Sequence, residues 1–133
     1  MNKTFQVSGR RKQAVSRASI KAGTGKITVN NKPIDCYTPE TAKLKLMEPL
    51  IIAENIVNQV DIDVKVRGGG ANGQVEAARL VIAKALVQFT KDDKLKRKFI
   101  EYDRHLLVAD VRRKETRKPN DSRARAARQK SYR

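Results

Sequence analysis

Three groups of side chains in this 133-residue chain carry types and spacings suited to chemistry with phosphate. The last twenty-two residues, 112–133, hold Arg112, Arg113, Lys114, Arg117, Lys118, Arg123, Arg125, Arg128, Lys130 and Arg133 against only Glu115 and Asp121. Their net +8 is half of the chain's +16. Arg outnumbers Lys there by seven to three, and a planar guanidinium suits bidentate phosphate contacts and stacking on bases. A second group, Arg10, Arg11, Lys12 and Arg17, puts four cations within eight residues. The third is Gly68-Gly69-Gly70 beside Arg67, whose bare backbone amides can lie close to a phosphate at a helix N-terminus. Each group also has a plainer reading: a frayed basic end, a solvated charge run, and a strand-to-helix connection in left-handed conformations. Three such groups in one short chain favour a polyanion.

Other chemistry finds little support. Gly68, Gly70 and Gly73 fit G-x-G-x-x-G between a strand and a helix, the local setting of a dinucleotide site. The second parallel strand ending in an acid is missing, because Asp92-Asp93 and a Lys-rich stretch follow. Gly23-Thr24-Gly25-Lys26 lacks the spacing of a phosphate-binding P-loop. Asp61 and Asp63 share a strand face with Lys65 and Arg67, which reads as charge pairing or solvation, not a catalytic pair. His105 and Cys36 are single, so neither a His-based metal cluster nor a Cys–His couple is expected. No nucleophile has a base, no cofactor is expected, and the chain reads as a non-enzyme.

The elements that must position these groups follow from apolar spacing. The segment 112–133 has no Val, Leu, Ile, Met or Phe, so it cannot offset its own ordering entropy. It is expected as a basic tail of up to roughly 70–80 Å if extended, leaving 1–111 as one globular domain. Phe5 and Val7 open a strand that Gly9-Arg10-Arg11-Lys12 interrupts. Ala14, Ser16, Ala18, Ile20 and Ala22 alternate inward with Val15, Arg17, Ser19 and Lys21 outward. After the Gly23–Gly25 turn, Ile27 and Val29 predict a hairpin partner, giving an antiparallel meander. Thr38-Pro39-Glu40 starts a helix with Leu44, Met47 and Leu50 or Ile51 at helical spacing, kinked or broken at Pro49. Val60 to Arg67 is a fourth strand with a charged outer face. A flexible Gly68–Gly73 loop leads to the main helix, about Gln74 to Phe89. Its minor strip, Leu80 and Val87, is expected under Leu106-Leu107-Val108. A short basic helix turns Leu95, Phe99 and Tyr102 inward, and its amphipathic face suits a core better than a membrane.

The mean composition fits that picture. The sequence pI is near 10.4, which concerns partners and solubility, not fold. One cysteine excludes an intrachain disulfide and fits a reducing cytosol. No apolar run of signal-peptide length opens the chain, and none approaches the ~20 residues of a membrane span. A soluble, cytoplasmic protein without membrane partners is expected.

Gly9-Arg10-Arg11-Lys12-Gln13-Ala14-Val15-Ser16-Arg17 resembles the opening signature of ribosomal protein nine of the small subunit. Gly23-Thr24-Gly25-Lys26-Ile27-Thr28-Val29-Asn30 resembles that family's next hairpin. Gly68-Gly69-Gly70, Gly73-Gln74, Ala77-Ala78-Arg79 and Ala85-Leu86 resemble its loop and main helix. Leu106-Leu107 with Asp110, Arg112 and Glu115 resembles the lead into its tail. Gln129-Lys130-Ser131-Tyr132-Arg133 is similar to the archaeal and eukaryotic ending.

The resemblance implies an α+β fold: a mixed four-stranded sheet backed by helices, a left-handed βαβ crossover and an extended basic C-terminal tail. It implies small-subunit ribosomal RNA in the subunit head as partner, with neighbouring ribosomal proteins. The RNA-binding residues expected are Arg10, Arg11, Lys12, Arg17, Arg67, Gly69, Gly70, Arg112, Arg113, Lys114, Arg117, Lys118, Arg123, Arg125 and Arg128. The tail's end, Lys130, Ser131, Tyr132 and Arg133, is implied to approach the peptidyl-site tRNA. Lys118-Pro119-Asn120-Asp121-Ser122 stands where related tails often carry glycines, and Arg128 where an aromatic often sits. The alternative is a free nucleic-acid-binding module or RNA chaperone with a basic disordered arm.

Overall fold

The computed structural model describes residues 3–121 and 123–132. Five strands, β1 (Phe5–Arg11), β2 (Ala14–Ala22), β3 (Ile27–Val29), β4 (Lys32–Pro33) and β5 (Val60–Arg67), form one mixed sheet in the order β1-β2-β5-β3-β4. Helices α1 (Glu40–Ile52), α2 (Glu54–Val57), α3 (Ala71–Thr90) and α4 (Asp93–Tyr102) complete the fold, with a 3-10 turn at Arg104–Leu106. The α+β class is as expected; the strand count is five, not four. The extra strand, β4, is two residues long and returns from β3 through Asn30-Asn31. Both asparagines take positive φ, 50° and 66°, a conformation Asn tolerates better than most residues. A two-residue strand leaves no alternation to read.

The expected β2–β3 hairpin does not form. β5 lies between them, antiparallel to β2 and parallel to β3. The reason lies in the Gly23–Lys26 turn, whose donors go to β5. Gly23 N–H donates to the Gln59 carbonyl at 2.9 Å and Gly25 N–H to that of Val60 at 3.1 Å. The Asp61 carboxylate accepts the N–H groups of Thr24 and Lys26 at 2.9 and 3.0 Å. A turn capped by another strand joins its flanking strands to that strand and not to each other.

β1 runs through Gly9 to Arg11 instead of stopping at Gly9, pairing Arg11 with Ala14 across a two-residue turn. Gly9 is needed for packing: a Cβ there would stand 2.9 Å from both Leu80 and Val81 on α3. Leu80 therefore seats against β1, while Leu106 is fully buried and Val108 is exposed, so the expected strip under 106–108 is only partly realised.

α3 lies over β1, β2 and β5 and packs against α1. Ala18, Ile20, Ile62 and Val64 of the sheet join Val75, Ala78, Ile82, Ala85 and Leu86 of α3 in one core. α3 begins at Ala71, so Ala71, Asn72 and Gly73 are its first turn and not loop. α1 passes through Pro49 to Ile52. Its buried face is Ala42, Leu46, Pro49 and Leu50, and Leu44 and Ile51 are exposed, so of the pair left open at that spacing it is Leu50 that meets the core. Pro49 sits on the buried side and the chain turns into α2 after Ala53. In α4, Leu95 and Phe99 are buried as expected but Tyr102 is exposed.

Beyond Leu106 the described residues form neither helix nor strand. No helix among them is long and apolar enough to cross a membrane.

Candidate nucleic-acid interface

Three segments far apart in sequence meet in one groove of about 940 Å³. It is lined by Arg10, Arg11, Lys12 and Gln13 of the β1–β2 turn, by Gly69 to Gly73, and by Arg112, Arg113 and Lys114. No carboxylate lines it. The sequence expected these three groups; the fold brings them together.

Backbone geometry explains the junction. Gly68 and Gly69 take φ of 75° and 67°, a region open to glycine at little cost. Their backbone lies directly on the β1–β2 turn. A Cβ at Gly68 would be 2.8 Å from the Gln13 carbonyl, and one at Gly69 would be 2.9 Å from Ala14 N. The left-handed connection and the site near the helix N-terminus are thus one and the same feature.

α3 opens at that point without a side-chain cap, and its first turn holds no acid. The first N–H groups of a helix lack intrahelical acceptors, and the aligned peptide dipoles place about half a positive charge at this end. Uncapped amides flanked by Arg10, Lys12, Arg113 and Lys114 form an anion-binding concavity. Those four make no salt bridge among the described residues.

Arg11 and Arg112 are used differently. The Arg11 side chain is 15% exposed; its Nε donates to Glu76 Oε2 on α3 at 2.5 Å, and its Nη1 lies 2.7 Å from Asp110 Oδ2. Arg112 grips Asp110 through Nε at 2.9 Å and Nη2 at 2.7 Å, and its own N–H donates to the same carboxylate at 2.9 Å. The Arg112 guanidinium, then its backbone N–H, hold the Asp110 carboxyl well below the usual carboxylate range, and Asp110 pushes the Arg112 guanidinium up. Asp110 therefore ties the root of the tail to β1 and α3. A single acid just before a basic run was the only sequence signal of this tether. Its partners, two and ninety-nine residues away, depend on the fold.

A neighbouring cleft of about 350 Å³ holds a second guanidinium between two carboxylates. Arg79 Nη1 donates to Asp103 Oδ2 at 3.0 Å, and Nη2 pairs with Glu48 on α1. Burial works to raise the Asp103 pKa, but the His105 N–H and Arg79 together leave it lowered. This arrangement braces α1, α3 and α4, with one guanidinium engaged by both carboxylates.

The sheet face away from the helices carries the remaining expected cations. Arg10, Val15 and Arg67 share one cross-strand row, and Ser8, Arg17 and Lys65 the next. Arg10 thus belongs to both the groove and the sheet face. Asp61 and Asp63, read as partners of Lys65 and Arg67, bond elsewhere: Asp61 to the Thr24–Lys26 turn and Asp63 to the Thr28 hydroxyl at 2.9 Å. Arg17, Lys65 and Arg67 make no salt bridge among the described residues.

The tail is exposed over nearly all its described length. It is not straight: Asn120 takes φ of 66° beside Pro119, and the chain folds back there. Arg125 reaches Glu115 through two bonds of 3.0 and 2.5 Å, and Arg128 Nε donates to the Asn120 carbonyl at 3.1 Å. Arg117, Lys118 and Arg123 are exposed without such partners. Lys130, Ser131 and Tyr132 are also exposed, and Arg133 lies outside the described residues.

A helix N-terminus opening into a cationic groove, on a small α+β scaffold, has the geometry and charge expected of a polyanion-binding protein. Residues 9–133 match the family model described as ribosomal protein S9/S16. The chain is also 47% identical, over 133 residues covering 98% of it and 99% of the relative, to the small ribosomal subunit protein uS9 of Methanococcus maripaludis (strain C5 / ATCC BAA-1333). The chain belongs to the ribosomal protein S9/S16 family, whose members are structural and non-enzymatic.

Proposed function

We propose that this chain is a structural constituent of the small ribosomal subunit that docks on ribosomal RNA of the subunit head through the groove and the adjoining sheet face. The observation carrying this is the groove itself: Arg10, Lys12, Arg113 and Lys114, with no carboxylate partner among the described residues, around the uncapped start of α3, with no acid among the described lining residues. Phosphate oxygens fit both its donors and its sign. Arg11 and Arg112 act from within, fixing the tail's exit through Asp110. Arg17, Lys65 and Arg67 extend the contact along the bare sheet face.

The tail then neutralises crowded phosphates, with Arg117, Lys118 and Arg123 free to do so and Arg125 and Arg128 able to exchange internal partners for RNA. Its end, Lys130 to Arg133, reaches toward the peptidyl-site tRNA. The family reading also gives a left hand to the crossover from β3 through α1 to β5, and neighbours among the head's proteins. Two experiments on purified subunits test this. The chain should co-sediment with the small subunit at moderate salt; recovery only as free protein contradicts the reading. Deleting residues 130–133 should weaken tRNA retention on subunits that still assemble, and unchanged retention contradicts the tRNA contact.

A further inference from the structure

α1 is apolar on both sides. Ala42, Leu46, Pro49 and Leu50 face the core and Met47 packs half-buried at its edge, while Leu44 and Ile51, seven residues apart, stand on the opposite side. Leu44 is 57% exposed and Ile51 64%. Two large aliphatic side chains exposed on the same helix face make an apolar patch ringed by polar residues, the kind of surface that marks a protein contact. Leu44 and Ile51 stand about 10 Å apart along the axis, at 1.5 Å per residue, which leaves room for a side chain to seat between them.

The charge around this stripe differs in sign from the rest of the molecule. Residues 34–59 hold Asp35, Glu40, Glu48 and Glu54 against Lys43 and Lys45, a net of −2 inside a chain of +16. Glu48 is taken by Arg79 and Asp35 lies 4.0 Å from Lys43 Nζ, which leaves Glu40 and Glu54 exposed and without salt bridges among the described residues. Phosphate would be repelled here, and Leu44 and Ile51 offer RNA no donor. A cationic protein surface matches both properties.

Resting on the reading that the chain sits in a ribosomal particle, we infer that the outer face of α1 docks a strongly basic neighbouring protein of that particle. An apolar side chain of the partner seats between Leu44 and Ile51, and its cations meet Glu40 and Glu54. RNA thereby holds the groove and sheet face, and protein holds the helical layer.

The test places a benzophenone photo-cross-linking amino acid at Leu44, and separately at Ile51, in the full chain within assembled small subunits. The expected product is a cross-link to one basic protein. Ile51→Asp should lower the Leu44 cross-link at least about tenfold, because a buried aliphatic side chain is lost. The pair Glu40→Lys and Glu54→Lys should weaken it in low salt and lose that effect in high salt. Both positions are exposed, so unchanged thermal melting of the free variants confirms that they fold. Cross-links to RNA, to a second copy of this chain, or to nothing overturn the inference while co-sedimentation leaves the ribosomal reading standing. Failure of the unaltered chain to co-sediment overturns both.

Discussion

Replacing Arg10, Lys12, Arg113 and Lys114 together by Ser should flatten the salt dependence of binding to small-subunit ribosomal RNA. These four line the groove without carboxylate partners among the described residues, whereas Arg11 and Arg112 are engaged by Glu76 and Asp110. Each lost phosphate contact removes about 0.7–0.9 from the slope of log K against log salt, so the quadruple variant should lose about 3 units. Across a fourfold rise in salt, the unaltered chain should therefore lose roughly a hundredfold more affinity than the variant. Arg11→Gln gives the contrast. Its charge is spent inside the protein, so the slope should change by less than about one contact's worth, while tail-root amides exchange faster. Filter binding or fluorescence anisotropy over a salt series, with hydrogen exchange for residues 108–114, reads both. An unchanged slope in the quadruple variant, or an equal drop from Arg11→Gln alone, would refute the division of labour.

Other outcomes follow from the fold. Gly9→Val should cost about 1–3 kcal/mol by overpacking, since a Cβ already falls 2.9 Å from Leu80 and Val81; urea unfolding measures it. Phe99→Ala, at a fully buried position, should cost about 3–5 kcal/mol and lower the melting temperature as α4 loses its anchor. The N–H groups of Lys26 and Thr24 hold Asp61 below its ordinary 3.8, so folding favours its charged form. Its contribution to stability is complete above 3.8 and is lost as pH falls through the lower folded value. Asp61→Asn should therefore shrink the difference in urea midpoint between neutral pH and about pH 3.

What the sequence disclosed divides along the range of the interactions. Alternation in β2 and β5 and the 3.6-residue period of α3 are local, and each element stands where its pattern put it, apart from a turn or less at its ends. The β2–β3 hairpin was misread because the deciding groups, Gln59, Val60 and Asp61, lie more than thirty residues beyond the turn they cap. α1 stands where its start signal put it, but it carries apolar residues on two sides, and spacing alone does not say which one meets the core. For the site, the three cationic and glycine-rich segments were visible as composition. Their convergence, and the retention of Arg11 inside the protein, depended on tertiary pairing with Glu76 and Asp110.

The central claim is that the groove between the β1–β2 turn, the start of α3 and the tail root faces RNA in the particle. Lysine acetylation footprinting, comparing the free chain with purified small subunits, tests it most directly through Lys12 and Lys114. Both should react readily in the free chain and be protected in the subunit; equal reactivity in the two states would contradict the account.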